Sequence, residues 1–400
     1  MKRFAISSLI GALTIGVTLP THARDAFQID LTVSNPTLTQ TGSRGYSTVE
    51  NAINTLSSTA ALQSLAPSYL DTLTFKSKAN AQINLRGLSA SAIFTQNSTA
   101  LTVNIPGVID KTFAGATRAD SANLFLRFIE GQGASSSLFR ALASSTPGDP
   151  VAGNPNALMN QMVSSDFGRA LDDAAGTSPP GLGLEARYGS FSAAGLNSQS
   201  FSLPLDYSWR ISERDAIDLD VPLSTSDTGG GQSYSGNIGV LWRHRVLTNW
   251  TLQPSVRIGG VGSTDLGSAA GVWSVGLNSA VKFDLPAAWQ LTVGNGLTYI
   301  STIPITVGNF SVNYDLQNVV FRNGILVSHD LGFEVWNHSA RGSLYAIDTR
   351  FTGDAVYMSS YQEFGGYVTV GAFTPVNLGV SYLVGDHGVH GFSVATGVKF

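Results

Sequence analysis

From residue 181 onward the chain alternates. Phe201, Leu203, Leu205, Tyr207 and Trp209 fall on one side of an extended backbone, and Ser202, Asp206, Ser208 and Arg210 on the other. Trp273, Val275, Leu277, Val281 and Phe283 do the same against Ser274, Gly276, Asn278 and Lys282. So do Trp289, Leu291, Val293, Leu297 and Tyr299, and later Leu378, Val380, Tyr382 and Val384. A period of two marks strands with one oily face. The connectors alternate too: short near 211–215, 246–249, 284–288, 329–331 and 374–376, longer and Gly/Ser-rich at 224–231, 263–270, 301–310 and 348–354. That rhythm predicts an up-and-down antiparallel β-barrel of about twelve strands. The strands are placed at 183–191, 199–210, 215–223, 233–245, 250–260, 271–283, 289–300, 314–328, 332–346, 355–373, 376–384 and 389–400. The 355–373 stretch is ambiguous in phase, leaving room for a bulge or for two shorter strands.

Upstream the pattern is mixed. Phe27, Ile29, Leu31 and Val33 alternate as a strand, as do Ile83-Asn84-Leu85 and Leu101 to Ile105. Ser47-Thr48-Val49-Glu50 has capping-box spacing ahead of Ala52, Ile53 and Leu56, which predicts a short helix. Leu124, Leu126, Phe128 and Ile129 suggest a second helix, and Leu138 and Leu142 a third. Residues 24–150 thus read as a small soluble α/β domain. Residues 145–156, rich in Pro, Gly and Asn, read as a hinge. Asn154 is placed to cap a helix with Pro155 at its first position. Leu158, Met162, Val163, Phe167, Ala170 and Leu171 then recur at helical spacing, up to Gly176. Residues 151–180 are therefore hinge plus amphipathic helix. Two places for that helix stay open: packed on the N-terminal domain, or in the barrel mouth.

Composition changes the picture in one direction. Charged residues are 12% of the chain, where soluble domains carry about 25%. No segment after the N-terminus offers the ~20 consecutive apolar residues of a spanning helix. At the start, Lys2 and Arg3 precede an apolar run to Leu19, then Pro20 and Thr21-His22-Ala23. These features predict a secretory signal peptide over 1–23. Cleavage after Ala23 would remove two basic residues and move the formal net charge from −4 to −6. The absence of Cys excludes disulfides, thiolate metal sites and a lipoprotein anchor. The mild negative charge, without basic runs, argues against nucleic acid as a partner.

All six Trp residues lie in the second half: Trp209, Trp242, Trp250, Trp273, Trp289 and Trp336. Five flank a short connector and Trp273 sits beside a long one. Indole rings at strand ends are expected in a membrane-interface girdle. The last strand, Phe392, Val394, Thr396, Val398, Phe400, closes on an aromatic residue. That ending resembles the C-terminal strand of bacterial outer-membrane β-barrels. The resemblance implies that Phe400 is the signal read by the barrel-assembly machinery, with periplasmic chaperones and outer-membrane lipids as further partners. The layout of soluble domain, helix and C-terminal barrel is similar to autotransporters. In that family a helix threads the pore and the upstream region is displayed outside. This chain departs from the family in its short barrel and in lacking β-solenoid repeats over 24–150. The N-terminal domain is therefore placed provisionally in the periplasm of the Gram-negative envelope.

If the Phe400 phase faces lipid, the opposite phase lines the lumen. It carries Glu185, Asp206, Asp218 and Asp220 on the first three strands, then Arg243, Arg257 and Lys282, with Arg322 further round. Two readings follow: acidic and basic walls across a narrow pore, or a salt-bridged plug. Enzymatic sites find no support. Trp336-Asn337-His338-Ser339 puts His and Ser on opposite strand faces, and Asp386-His387-Gly388-Val389-His390 reads as a solvated turn. No cofactor, metal or catalytic residue is expected. The leading expectation is a non-enzymatic outer-membrane barrel, porin-like as a small-solute channel or anchoring its N-terminal domain. The alternatives are an autotransporter-like translocator displaying residues 24–150, and a barrel-type lipid-modifying or proteolytic enzyme.

Overall fold

The computed structural model describes residues 25–57, 61, 64–65, 76–130, 135–176, 180–307, 310–335, 338–371 and 374–400. The expected signal peptide and Trp336 lie outside them.

Six antiparallel strands form an N-terminal sheet: β1 (Phe27–Ser34), β2 (Thr39–Tyr46), β3 (Lys78–Leu85), β4 (Leu88–Phe94), β5 (Leu101–Ile105) and β6 (Ile109–Phe113). Their order is β2-β1-β3-β4-β5-β6. Phe27, Ile29, Leu31 and Val33 point into a buried face, joined there by Ile83, Leu101 and Val103. The alternate residues make an open polar face. β2 and β6 are edge strands whose polar sequences carry little periodic signal, so the sequence reading passes over them. Helix α1 (Val49–Ser57) follows β2. Its first turn is capped by Thr48, whose hydroxyl accepts the Asn51 N–H at 3.3 Å; Ser47, the expected cap, stands one residue too early. Helices α2 (Arg118–Glu130) and α3 (Ser135–Ser145) follow the sheet.

The second unit is a closed antiparallel barrel of twelve strands. These are β7 (Gly181–Ala193), β8 (Leu196–Arg210), β9 (Asp215–Thr228), β10 (Gly231–Leu247), β11 (Trp250–Ser263), β12 (Ser268–Asp284) and β13 (Trp289–Ile303). After a small hairpin, β14 (Ile305–Val307) with β15 (Phe310–Val312), come β16 (Gln317–Val335), β17 (His338–Gly353), β18 (Ser360–Val370), β19 (Val376–Gly385) and β20 (His390–Lys399). β20 closes on β7, from His390 opposite Ser192 to Lys399 opposite Gly183. Phe400 completes the seam, exchanging backbone bonds with Leu182 at 3.1 and 2.8 Å. Every strand edge is thereby paired.

The strand count expected from the rhythm holds, and several boundaries move. The link expected over 224–231 is strand as far as Thr228, with a two-residue turn at Gly229-Gly230. Both glycines have positive φ, 58° and 81°, which is type I′ hairpin chemistry. The turn expected at 329–331 is strand instead, because β16 continues to Val335 through a register irregularity between Asp330 and Glu334. Strand β17 accordingly runs on to Gly353, and the ambiguous 355–373 stretch splits into a loop and β18, Ser360–Val370. A membrane crossing takes about 9–11 residues per strand. The 17 residues of β10 and 19 of β16 therefore extend past it.

One end of the barrel carries Gly181, Phe400 and the turns near 211–214, 248–249 and 285–288; this is the turn end. The other, the loop end, carries 194–195, 229–230, 264–267, 310–316, 354–359 and 386–389. The N-terminal domain sits on the loop end. Ala26 N–H bonds Gly229 O at 3.0 Å, Val49 N–H bonds Asp265 O at 2.7 Å, and Tyr357 N–H bonds Ala143 O at 2.7 Å. One hydrophobic cluster runs from Ile29, Ile83 and Leu142 to Leu266, Val272, Tyr314 and Met358 of the barrel mouth. The domain is seated at the end of the barrel opposite Gly181 and Phe400, because the oily face of its sheet is completed by the barrel loops.

Candidate functional site

The barrel wall has two chemistries. Outside are large apolar side chains: Leu184, Leu205, Val240, Ile258, Leu277, Leu297, Ile325 and Val380 are all exposed. Inside are Ser, Thr, Asn, Asp and Arg, mostly buried. A closed barrel with an apolar exterior and a polar interior is built to sit in a bilayer. Trp209, Trp242 and Trp289 stand on the exterior at the turn end and Trp273 toward the loop end, 38–48% exposed. Trp250, half-buried at the turn end, donates its indole N–H to Ser279 at 2.9 Å.

The lumen is occupied. Helix α4 (Leu158–Ala175) runs down it from the loop end to the turn end. At the top Asn156 contacts Ser198 (3.0 Å) and Ser200 (2.7 Å), and Gln161 accepts from Ser224 at 3.0 Å. At mid-depth Arg257 donates to Asp166 at 2.5 Å and to Asp220 at 2.6 Å, while Ser255 donates to Asp166 at 2.6 Å. Arg169 bridges Asp220 (2.7 Å) and Asp206 (3.1 Å), and Lys399 reaches Asp206 at 3.1 Å. At the bottom Arg243 joins Asp173 of the helix and, at 2.6 Å, Asp218. On the other flank Arg322 donates to Ser164 at 2.5 Å and lies 5.3 Å over the Phe167 ring.

Six of the eight lumen candidates, Asp206, Asp218, Asp220, Arg243, Arg257 and Arg322, meet the helix or its immediate partners. Glu185 pairs instead with Arg187 on its own strand at 2.9 Å, and Lys282 with Asp284 at 3.8 Å. The acidic and basic residues do not face each other across an open bore. β9 and β10 are neighbours, so Asp218 pairs with Arg243 directly, and the helix supplies Asp166, Arg169 and Asp173 between the others.

Packing fixes the helix as firmly as charge. Gly294 and Gly324 stand opposite each other on β13 and β16, and Gly296 opposite Arg322. A Cβ on Gly294 would lie 2.6 Å from Leu171, and one on Gly296 or Gly324 would lie 3.0 Å from Phe167. The three glycines form a socket that Phe167 and Leu171 fill. At Gly168, beside this socket on the helix surface, an added Cβ would meet nothing within 4 Å. It faces two adjoining cavities of about 230 and 160 Å³ along β18–β20 and β7, where Asp172, Glu185, Arg187 and Glu363 are found.

The segment read as a hinge is buried instead. Residues 146–154 have almost no exposure. Asp149 accepts the Val151 and Ala152 N–H groups, and Asn154 bonds Pro147 O and the Asn156 N–H. These side chains satisfy a tight turn internally, so it needs no water. Asn154 shapes that turn rather than capping the helix, which begins three residues later than Pro155 suggests. Asp149 is also the centre of a collar. It accepts from Tyr314 at 2.7 Å and lies 3.6 Å from Arg86 of the β3–β4 turn, and Arg86 donates to Ser268 at 2.6 Å. Burial and then the Asp149 carboxylate push the Tyr314 phenol well above its ordinary value of 10. Arg140 of α3 adds ion pairs to Asp315 and Asp354 of the loops. Arg86, Asp149 and Tyr314 are far apart in sequence and carry no shared motif.

His338 and Ser343 lie on opposite faces of β17, Ser343 facing inward and bonded to Ser328 at 2.9 Å. Asp386 accepts from Ser359 at 2.6 Å, tying two loops together. Among the described residues no group of His, Asp and Glu is arranged to hold a metal.

No protein-family model matches the sequence. No curated protein matches it either. Among solved structures it is similar to the β domain of the Bordetella autotransporter BrkA, at 14% identity over 55% of this chain and 98% of that one, with a TM-score of 0.44. It is similar to the translocator domain of autotransporter NalP from Neisseria meningitidis, at 14% identity over 60% and 96%, TM-score 0.42. An outer-membrane channel from Pseudomonas putida F1 matches at 14% identity over 55% and 95%, TM-score 0.36. The twelve-stranded barrel of this chain thus has its likenesses among outer-membrane barrels, autotransporter translocators and channels alike.

Proposed function

We propose that this protein is a non-enzymatic outer-membrane display anchor, which holds its N-terminal sheet domain on the outer face of the membrane by a helix fixed in the barrel. One observation carries the reading: α4 crosses the lumen from a domain seated on the loop end to a first strand that starts at the turn end. In bacterial single-chain barrels the short turns face the periplasm and the longer loops face outward. On that orientation a domain resting on the loops is outside. The shared hydrophobic cluster and the Arg86–Asp149–Tyr314 collar support a cap that stays attached. An epitope inserted in the 106–108 turn between β5 and β6 tests the proposal. Antibody should bind it on intact cells; binding only after permeabilisation would return the domain to the periplasm.

A further inference from the structure

The outward alternation on β12 and β13 skips two positions, Ser279 and Asn295. The register turns these gaps into one line. Ser279 stands opposite Asn295, Asn295 opposite Asn323, Asn323 opposite Asp348, and Asp348 opposite Gln362. One unbroken polar rung therefore crosses the exterior of β12, β13, β16, β17 and β18. Apolar residues flank it: Val293, Ile325 and Phe364 on one side, and Leu297 and Phe321 on the other, where that flanking rung runs on to Arg350 of β17. On β13 it lies between exposed Trp289 and Tyr299, within the apolar band. A shallow groove of about 300 Å³ follows it, where Ala346 is small and Asn295 meets Asn323.

Hydrocarbon cannot bond an amide. Asn295 donates to Asn323 at 2.7 Å, Gln362 to Asp348 at 2.7 Å, and Arg350 to Asp348 at 2.9 Å. The Asn295 carbonyl and the remaining N–H groups of Asn323 have no protein partner among the described residues. We infer that this wall is the contact face of a homodimer in the membrane. An amide pair offers both an acceptor and a donor, so a two-fold rotation places the acceptor of one copy on the donor of the other. The groove flanked by Ile325 and Phe364 gives the second copy apolar surface to cover. An anionic lipid headgroup is a poorer occupant, because the cation of this patch, Arg350, already holds Asp348.

The chain has no Cys, which makes the test direct. Ala346→Cys, in the groove and leaving both amides in place, and as control Leu203→Cys on the opposite wall, are oxidised in isolated outer membranes. In parallel, the particle mass of the wild type and of Asn295→Leu/Asn323→Leu is measured in mild detergent. A cross-linked dimer at 346 and not at 203 is expected, with twice the single-chain mass for the wild type and the single-chain mass for the double variant. Leu suits a lipid-facing site, and a heat-dependent shift on SDS gels verifies that the variants are folded. A monomeric wild type, with or without bound lipid, or equal cross-linking at both sites, would overturn the inference.

Discussion

Arg257 is almost fully buried in the middle of a membrane barrel, between two carboxylates. An ion is tolerated in such a place only with partners on several sides, and here one partner comes from the wall and one from the helix. The collar repeats the arrangement outside the bilayer, with Tyr314 as neutral donor to Asp149. Its raised phenol value sets a sign. The collar's contribution is fully present below the unfolded tyrosine value near 10 and is lost as pH rises through the higher folded value. Stability of the seated domain should therefore fall above about pH 10 in the wild type, and less so in Tyr314→Phe, as read by proteolysis of residues 24–150 across a pH series. At the glycine socket, Gly294→Leu would drive carbon into the space of Leu171. Overpacking of this kind costs about 1–3 kcal/mol. A matching loss of helix protection in hydrogen exchange is expected, while Gly168→Ala, facing open space, should cost nothing comparable.

The elements differ in how far the sequence discloses them. Barrel strands are legible because one face must be oily along its whole length, and Trp209, Trp242 and Trp289 mark where that length stops. Their upper ends are not. Above the lipid the outer face no longer needs carbon, so Thr225 and Asp227, on the outer face of β9 beyond Leu223, look like loop and are strand. The burial of the turn at 146–154 is illegible for a related reason: Pro, Gly and Asn signal a turn, but whether that turn is wet depends on the barrel mouth covering it. Helix α4 was legible as a helix from Leu158, Met162 and Phe167, yet its seat was not, since Gly294, Gly296 and Gly324 signify a socket only once folded. That seat has a functional consequence. With α4 in place, the cavities left beside Gly168 are small, about 230 and 160 Å³, so the intact protein in planar bilayers should conduct weakly. A chain beginning at Gly181, shown to be folded by its heat-dependent mobility, should conduct severalfold more. Equal conductance would mean that the helix does not fill the bore.

For the whole molecule the central claim is that one chain passes through its own barrel and caps it from outside. The two ends of the barrel then belong to two compartments. The β5–β6 hairpin, with exposed Asp110, lies on one side, and the turn after β8, with exposed Glu213, on the other. Because the chain has no Cys, Asp110→Cys and Glu213→Cys each provide a single thiol for a membrane-impermeant maleimide applied to cells. The account predicts that the thiol at position 110 labels on intact cells and the thiol at 213 only once the outer membrane is permeabilised. The reverse pattern, or labelling at 213 alone on intact cells, would contradict it.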